Sequence, residues 1–186
     1  MLNIKYGSLI TVGIATWISA MLTGQFIVLL TNIPASSAIL TGFIVPFLLI
    51  FGAKVVNHKW SITIAFVTYG IIAIPTVLLG PPGIHKVFIA LLGGIVADIT
   101  IQLLKPLFKH LSYSIAMSLW GLTLALLTWL AFSFIDLPGK EMFMKAFPIL
   151  TVIFTVTAFI GAYVSSITFD KMNITNSNLY KRIHNK

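Results

Sequence analysis

Asp98 is the residue of this sequence whose type and position could most readily do chemistry, because it is the only acidic residue inside a long apolar segment. An ionisable group at membrane depth is energetically expensive and usually faces the interior of a helix bundle or a watery cavity. Its presence predicts a carboxylate that binds a ligand or an ion. The alternative is a carboxylic acid that hydrogen-bonds a neighbouring helix and has no ligand.

The neighbours of Asp98 in the sequence favour a single polar face. Residues four apart lie on the same side of a helix, and this face would carry Ala90, Gly94, Asp98 and Gln102. Gly94 and Gln102 are therefore predicted to bind the ligand together with Asp98. Asp98 would lie roughly 20 Å from the outer end of its helix at 1.5 Å per residue, so an outward-facing pocket requires the preceding turn to dip into the membrane.

That preceding turn is Gly80-Pro81-Pro82-Gly83, in which the prolines fix backbone angles and Gly83 tolerates unusual ones. His85 and Lys86 follow it and could cap a site that holds a polar ligand. The alternative is an ordinary loop with both side chains at the membrane interface, which is the preferred prediction for Lys86. Tyr69 and Trp120 combine a ring with a polar group, and we expect them to contact the ligand unless they only fill the core.

Signatures of catalysis are missing from the sequence. The four acidic residues form no intramembrane pair, and there is no His-Glu-x-x-His zinc motif, Gly-x-Ser-x-Gly elbow or Walker A loop. The chain has no cysteine, which excludes thiolate chemistry. We therefore predict a protein that is not an enzyme, with no catalytic residue, metal or cofactor, and any ATP hydrolysis would come from another subunit.

Composition predicts an integral membrane protein. Of 186 residues, 58% are hydrophobic and 9% are charged, whereas a soluble domain has about a quarter of its residues charged. The net charge of +8 does not indicate nucleic-acid binding, because the basic residues lie between apolar segments, where they set topology. The first apolar segment lacks a cleavage site and is interpreted as a retained helix rather than a signal peptide.

Hydropathy divides the chain into six apolar segments, which predict an all-α bundle of six transmembrane helices in the cell membrane. Their approximate bounds are 8–30, 37–53, 60–79, 84–104, 112–135 and 145–168. With the N-terminus in the cytoplasm, nine basic residues lie on the inner side and three on the outer side, so both termini are predicted to be cytoplasmic. Residues 1–172 would form the transmembrane domain, and 173–186 a polar, basic cytoplasmic tail.

The first segment carries small residues, of which Ala15 and Ser19 are one helical turn apart. Small residues allow another helix to approach closely. The sequence leaves open whether this stretch packs within the bundle or docks a separate membrane subunit.

The overall pattern resembles the S components of energy-coupling factor (ECF) transporters, the subunits that capture vitamins and their precursors. The run from Leu78 through the Gly-Pro turn to Gly93-Gly94-Ile95-Val96-Ala97-Asp98 is similar to the YkoE type, which binds thiamine or its hydroxymethylpyrimidine precursor. That type has Glu where this chain has Asp98. The close likeness covers about 25 residues, and the likeness of the whole chain is one of architecture.

The resemblance implies capture rather than catalysis. A small-molecule ligand would bind in an outward-facing pocket, and the loaded subunit would join a transmembrane coupling subunit and two ATPase subunits. It also implies that Ala15 and Ser19 contact the coupling subunit, with Ser19 standing where the family has Ala. Three alternatives remain from the residues alone: a stand-alone channel or proton-coupled carrier using Asp98, a structural subunit of a larger complex, and an intramembrane enzyme acting on lipid.

Overall fold

The computed structural model describes residues 4–31, 37–76, 79, 82–134, 140–172 and 180. These residues form six α-helices and no strand, as the six apolar segments predict. The helices are α1 (Ile4–Thr31), α2 (Ser37–Val56), α3 (Ser61–Ala73), α4 (His85–Leu104), α5 (Leu111–Phe134) and α6 (Lys140–Lys171). Gly80 and Pro81 of the predicted turn, and the predicted tail apart from Tyr180, lie outside the described residues.

Five of the helices are long and apolar enough to cross a membrane, and α3 is the exception. The chain is therefore a multi-pass helical membrane protein. With 13 residues, α3 is about 20 Å long, against about 30 Å for the hydrocarbon core of a bilayer. The predicted end of this helix was wrong. It ends at Ala73 rather than near Leu79, and Pro75, which cannot donate a main-chain hydrogen bond, follows two residues later.

The six helices are arranged as a closed ring. Each packs most extensively against two neighbours, in the order α1, α2, α6, α5, α4, α3 and back to α1, and α2 also contacts α3 and α5. The core of the ring is apolar and aromatic, with Phe66, Met117 and Trp120 among its most deeply buried side chains. This arrangement places α3 and α4 side by side and antiparallel, as a hairpin joined by residues 74–84.

Small residues let the helix backbones approach closely at several places in the ring. A Cβ added at Gly94 of α4 would lie 2.6 Å from the Cα of Thr63 in α3. At the α2–α6 contact, a Cβ on Gly161 would collide with the carbonyl of Phe43, and the Ser165 hydroxyl donates to the Phe47 carbonyl at 2.7 Å. Such contacts are typical of membrane bundles, where close packing and interhelical hydrogen bonds replace the hydrophobic effect.

One end of the ring carries most of the described lysines, and we call it the basic end. Lys54, Lys59, Lys105, Lys109 and Lys171 lie there, where α2, α4 and α6 end and α3 and α5 begin. Contacts between the ends of different helices show that these ends lie on the same side of the bundle. The Tyr6 and His58 rings are 5.4 Å apart, and the Nε2 of Gln102 donates to the Lys59 carbonyl at 3.0 Å. We call the opposite end, where α4 begins at His85, the far end.

The close approach of α3 and α4 predicts a specific sensitivity at Gly94. Gly94→Ala should destabilise the protein by about 1–3 kcal/mol, because the new methyl group meets backbone rather than a flexible side chain. The measurement is the midpoint of thermal unfolding in detergent. Gly7→Ala is the matched control, since a Cβ there would meet nothing within 4 Å, and it should leave the midpoint unchanged or slightly raised. Equal midpoints for the two variants would contradict this packing.

Candidate functional site

Asp98 lies in the interior of the bundle and holds the N-terminus of α3. Its side chain is 4% exposed. Its Oδ1 accepts the N–H of Ile62 at 3.3 Å, and its Oδ2 accepts the N–H of Thr63 at 2.8 Å and the hydroxyl of that residue at 2.7 Å. The first N–H groups of a helix have no partner inside the helix, and the residue preceding α3, Trp60, caps none of them with its side chain. Asp98 supplies the missing acceptor from another helix.

Lys86 holds the opposite end of the same helix. Its ammonium group donates to the Ala73 carbonyl at 2.9 Å and also to the Thr76 carbonyl. The prediction that Lys86 lies at the membrane interface was wrong, because the side chain is 0% exposed. The last carbonyls of a helix lack partners inside the helix and form the negative end of its dipole. A buried lysine at that position satisfies both the hydrogen bonds and the charge.

Asp98 and Lys86 therefore act as a pair, which we call the polar bracket. They are twelve residues apart on α4, or about 18 Å along the helix axis, close to the length of α3. The acid lies at the positive end of the α3 dipole and the base at the negative end, the arrangement that helix dipoles favour. The signal that could have revealed it is this spacing of acid and base beside a short helix.

The face of α4 that was predicted to line a ligand pocket is instead the contact surface with α3. Gly94 lies against Thr63, and Ala90 lies against Gly70. Gln102 is exposed at the basic end, where it donates to the Lys59 carbonyl. The four-residue spacing was thus correctly interpreted as one face, but the face is filled by a helix.

The turn before α4 is closed by a backbone hydrogen bond from the Gly83 N–H to the Ile74 carbonyl at 3.0 Å. Gly83 has φ of +157°, and a Cβ there would lie 2.8 Å from the Nδ1 of His85. Gly83 thus adopts one of the unusual backbone angles that glycine tolerates, and the His85 ring leaves no room for a Cβ. His85 is half-buried, and its Nε2 is buried without a hydrogen-bond partner among the described residues.

Tyr69 and Trp120 belong to an aromatic cluster in the core, which runs from Tyr69 through Phe66 and Trp120 to Phe154. The ring centroids are separated by 5.2 Å, 5.1 Å and 5.6 Å in that order. The indole N–H of Trp120 is buried, and no acceptor for it exists among the described residues. A buried donor without an acceptor is uncommon in native structures, so the indole N–H of Trp120 is a candidate for binding a polar group.

The small residues of α1 divide between two surfaces. Gly13 and Ala20 are buried, and Gly13 lies against Ala65 of α3. Ala15 is exposed and Ser19 is half-buried. Part of the stretch thus packs within the bundle, while the two residues proposed for docking lie on the outer face of the ring.

No group of three metal-binding side chains exists among the described residues. Comparisons of the chain with protein-family models, curated proteins and solved structures found no match.

The polar bracket predicts that Asp98 is needed for folding stability. Asp98→Asn should cost about 3 kcal/mol or more, because the amide nitrogen of Asn would face N–H donors that a carboxylate accepts. The measurement is thermal unfolding in detergent. Glu141→Gln, which removes a carboxylate at an exposed position, should shift stability by no more than about 0.5 kcal/mol. If Asp98→Asn proved as stable as this control, the capping role would be excluded.

Proposed function

We propose that this protein is the substrate-capture subunit, or S component, of an ECF-type transporter. In this proposal it binds a vitamin or vitamin precursor from outside the cell, and partner subunits supply the ATP hydrolysis. The ligand class suggested by the sequence resemblance is thiamine or a hydroxymethylpyrimidine-like ring.

The observation that carries the proposal is the early end of α3. Since α3 covers only about two thirds of the hydrocarbon thickness, the chain after Ala73, whose described residues 74–76, 79 and 82–84 are not helical, would enter the membrane at the far end. Irregular backbone at that depth is tolerated only where it is buried in protein or lines a water-filled cavity. The depth of Asp98 along its helix also led us to expect such a turn, because an outward-facing pocket could reach Asp98 only if the turn dips into the membrane.

We place the ligand beside the C-terminal half of α3, between this turn and the aromatic cluster. The indole N–H of Trp120 has no acceptor among the described residues. The Nε2 of His85 is also buried without a hydrogen-bond partner among them. Both suit a small ring with hydrogen-bonding nitrogen or oxygen atoms, enclosed by apolar walls as in most small-molecule sites. Asp98 and Gly94 then shape the site by fixing α3, and Tyr69 forms part of its floor.

The partners in this proposal are a transmembrane coupling subunit and two ATPases. The outer face of α1 supports it, because Ala15 and Ser19 are accessible there beside the exposed side chains of Ile14 and Ile18. Small residues on an outward face permit another helix to approach closely.

Ligand binding is tested with purified protein. Thiamine or hydroxymethylpyrimidine should quench tryptophan fluorescence, and Trp120→Phe should weaken binding by about tenfold, the value of one hydrogen bond in a buried site. Trp129→Phe is the control, since Trp129 is 38% exposed on the outer face of α5.

Three outcomes would count against the proposal. A vitamin panel that gives no binding would refute the capture role. Uptake by vesicles that contain this protein alone would support the carrier, and a fixed complex without ATPases would support a structural subunit.

We further propose that the basic end is cytoplasmic, because basic residues concentrate on the inner side of membrane proteins. The chain has no cysteine, so single-cysteine variants can be labelled without background. In intact cells a membrane-impermeant maleimide should label Glu141→Cys at the far end and leave Lys59→Cys unlabelled until the cells are opened. The reverse pattern would invert the topology.

A further inference from the structure

A network of charged side chains joins α2, α6 and the turn between α4 and α5 at the basic end. The Nζ of Lys54 donates to Asp170 at 2.6 Å, to the Ser166 carbonyl at 2.9 Å and to the Ser166 hydroxyl at 3.1 Å. Lys54 is 9% exposed, so this ammonium is fully committed inside the protein. The network fixes the ends of α2 and α6 against each other.

Lys109 contacts Asp170 from the solvent-exposed side of the network. Its Nζ is 2.9 Å from the second oxygen of Asp170, and its side chain is 77% exposed. One carboxylate therefore serves two ammonium groups, and a surplus of positive charge is left at the surface. Both ammonium groups pair with Asp170, so the surplus belongs to the cluster as a whole, and Lys109 is its exposed member.

The turn between α4 and α5 presents this charge together with exposed apolar side chains. Leu107 is 71% exposed, and Phe108 is 47% exposed. Lys105 and Lys109 flank them in the sequence, and the backbone turns here because the N–H groups of Leu107 and Phe108 both donate to the Leu104 carbonyl, at 3.0 Å and 2.9 Å. The N-terminus of α5, which has no acidic residue in its first turn, follows directly and adds the positive end of a helix dipole.

We propose that this turn binds the phosphate of an anionic phospholipid between Lys105 and Lys109, with the acyl chains against Leu107 and Phe108. Charge complementarity selects an anionic headgroup, because basic clusters beside membrane helices attract anionic lipids. The exposed leucine and phenylalanine select a lipid over a soluble anion, since apolar side chains next to basic ones are placed at the boundary between headgroups and acyl chains. This surface is separate from the proposed ligand site at the far end.

The test compares phosphatidylglycerol with phosphatidylcholine in native mass spectrometry of the detergent-purified protein. The wild type should retain phosphatidylglycerol, and the double variant Lys105→Gln/Lys109→Gln should bind it about thirtyfold more weakly, because each lysine near the surface contributes a several-fold gain in affinity. The double variant Lys59→Gln/Lys171→Gln removes the same charge from other exposed positions at the same end and should retain most of the affinity.

Circular dichroism of both double variants establishes that the helices remain folded. Equal losses in the two variants would show that the whole basic end attracts lipid diffusely and would overturn the specific site. Equal retention of phosphatidylcholine and phosphatidylglycerol by the wild type would overturn the anionic selectivity. Displacement of phosphatidylglycerol by inorganic phosphate alone would overturn the choice of a lipid.

Discussion

The two ends of α3 are buried in the bundle, and the rest of the structure depends on how their main-chain groups are satisfied. A helix end carries N–H or carbonyl groups without partners, and each such group left unsatisfied in a bilayer costs several kcal/mol. The acid of Asp98 and the base of Lys86, both on α4, meet this demand at opposite ends of α3. The lengths match because α3 has 13 residues and the bracket spans twelve on α4.

The polar bracket fixes the register of the α3–α4 hairpin, and other features of the bundle follow from it. Gly94 has to be small because Thr63 is brought against it. The chain after α3 returns to His85 through a turn that the Gly83 N–H closes onto the Ile74 carbonyl. The aromatic cluster is placed by the same hairpin, since Phe66 on α3 meets Trp120 on α5. The far end thereby gains a closed turn and a His85 ring nitrogen without a partner among the described residues, while the Lys54–Asp170 pair ties the basic end together.

The sequence was sufficient to predict the helices, but it was not sufficient to predict the contacts between them. Hydropathy predicts the six helices because the lipid solvent demands long apolar segments, and the burial of Asp98 follows from its position in one of them. The early end of α3 could not be predicted in this way, because Ile74–Leu79 is as apolar as the helix before it. Lys86 was misplaced for a related reason. A lysine beside a turn is normally interfacial, and only the carbonyls at Ala73 and Thr76, brought near by tertiary folding, retain it inside.

The central claim is that α4 caps α3 at both ends, and hydrogen–deuterium exchange of the protein in lipid nanodiscs tests it most directly. In Asp98→Asn, deuterium uptake should rise in the fragment that contains the Ile62 and Thr63 amides, because these lose their acceptors. In Lys86→Met, uptake should rise instead in the fragment around Ala73, where the last turn loses its cap. Fragments of α5 should exchange as in the wild type in both variants. Unchanged exchange of α3 in both variants, or an equal rise along the whole bundle, would contradict the account.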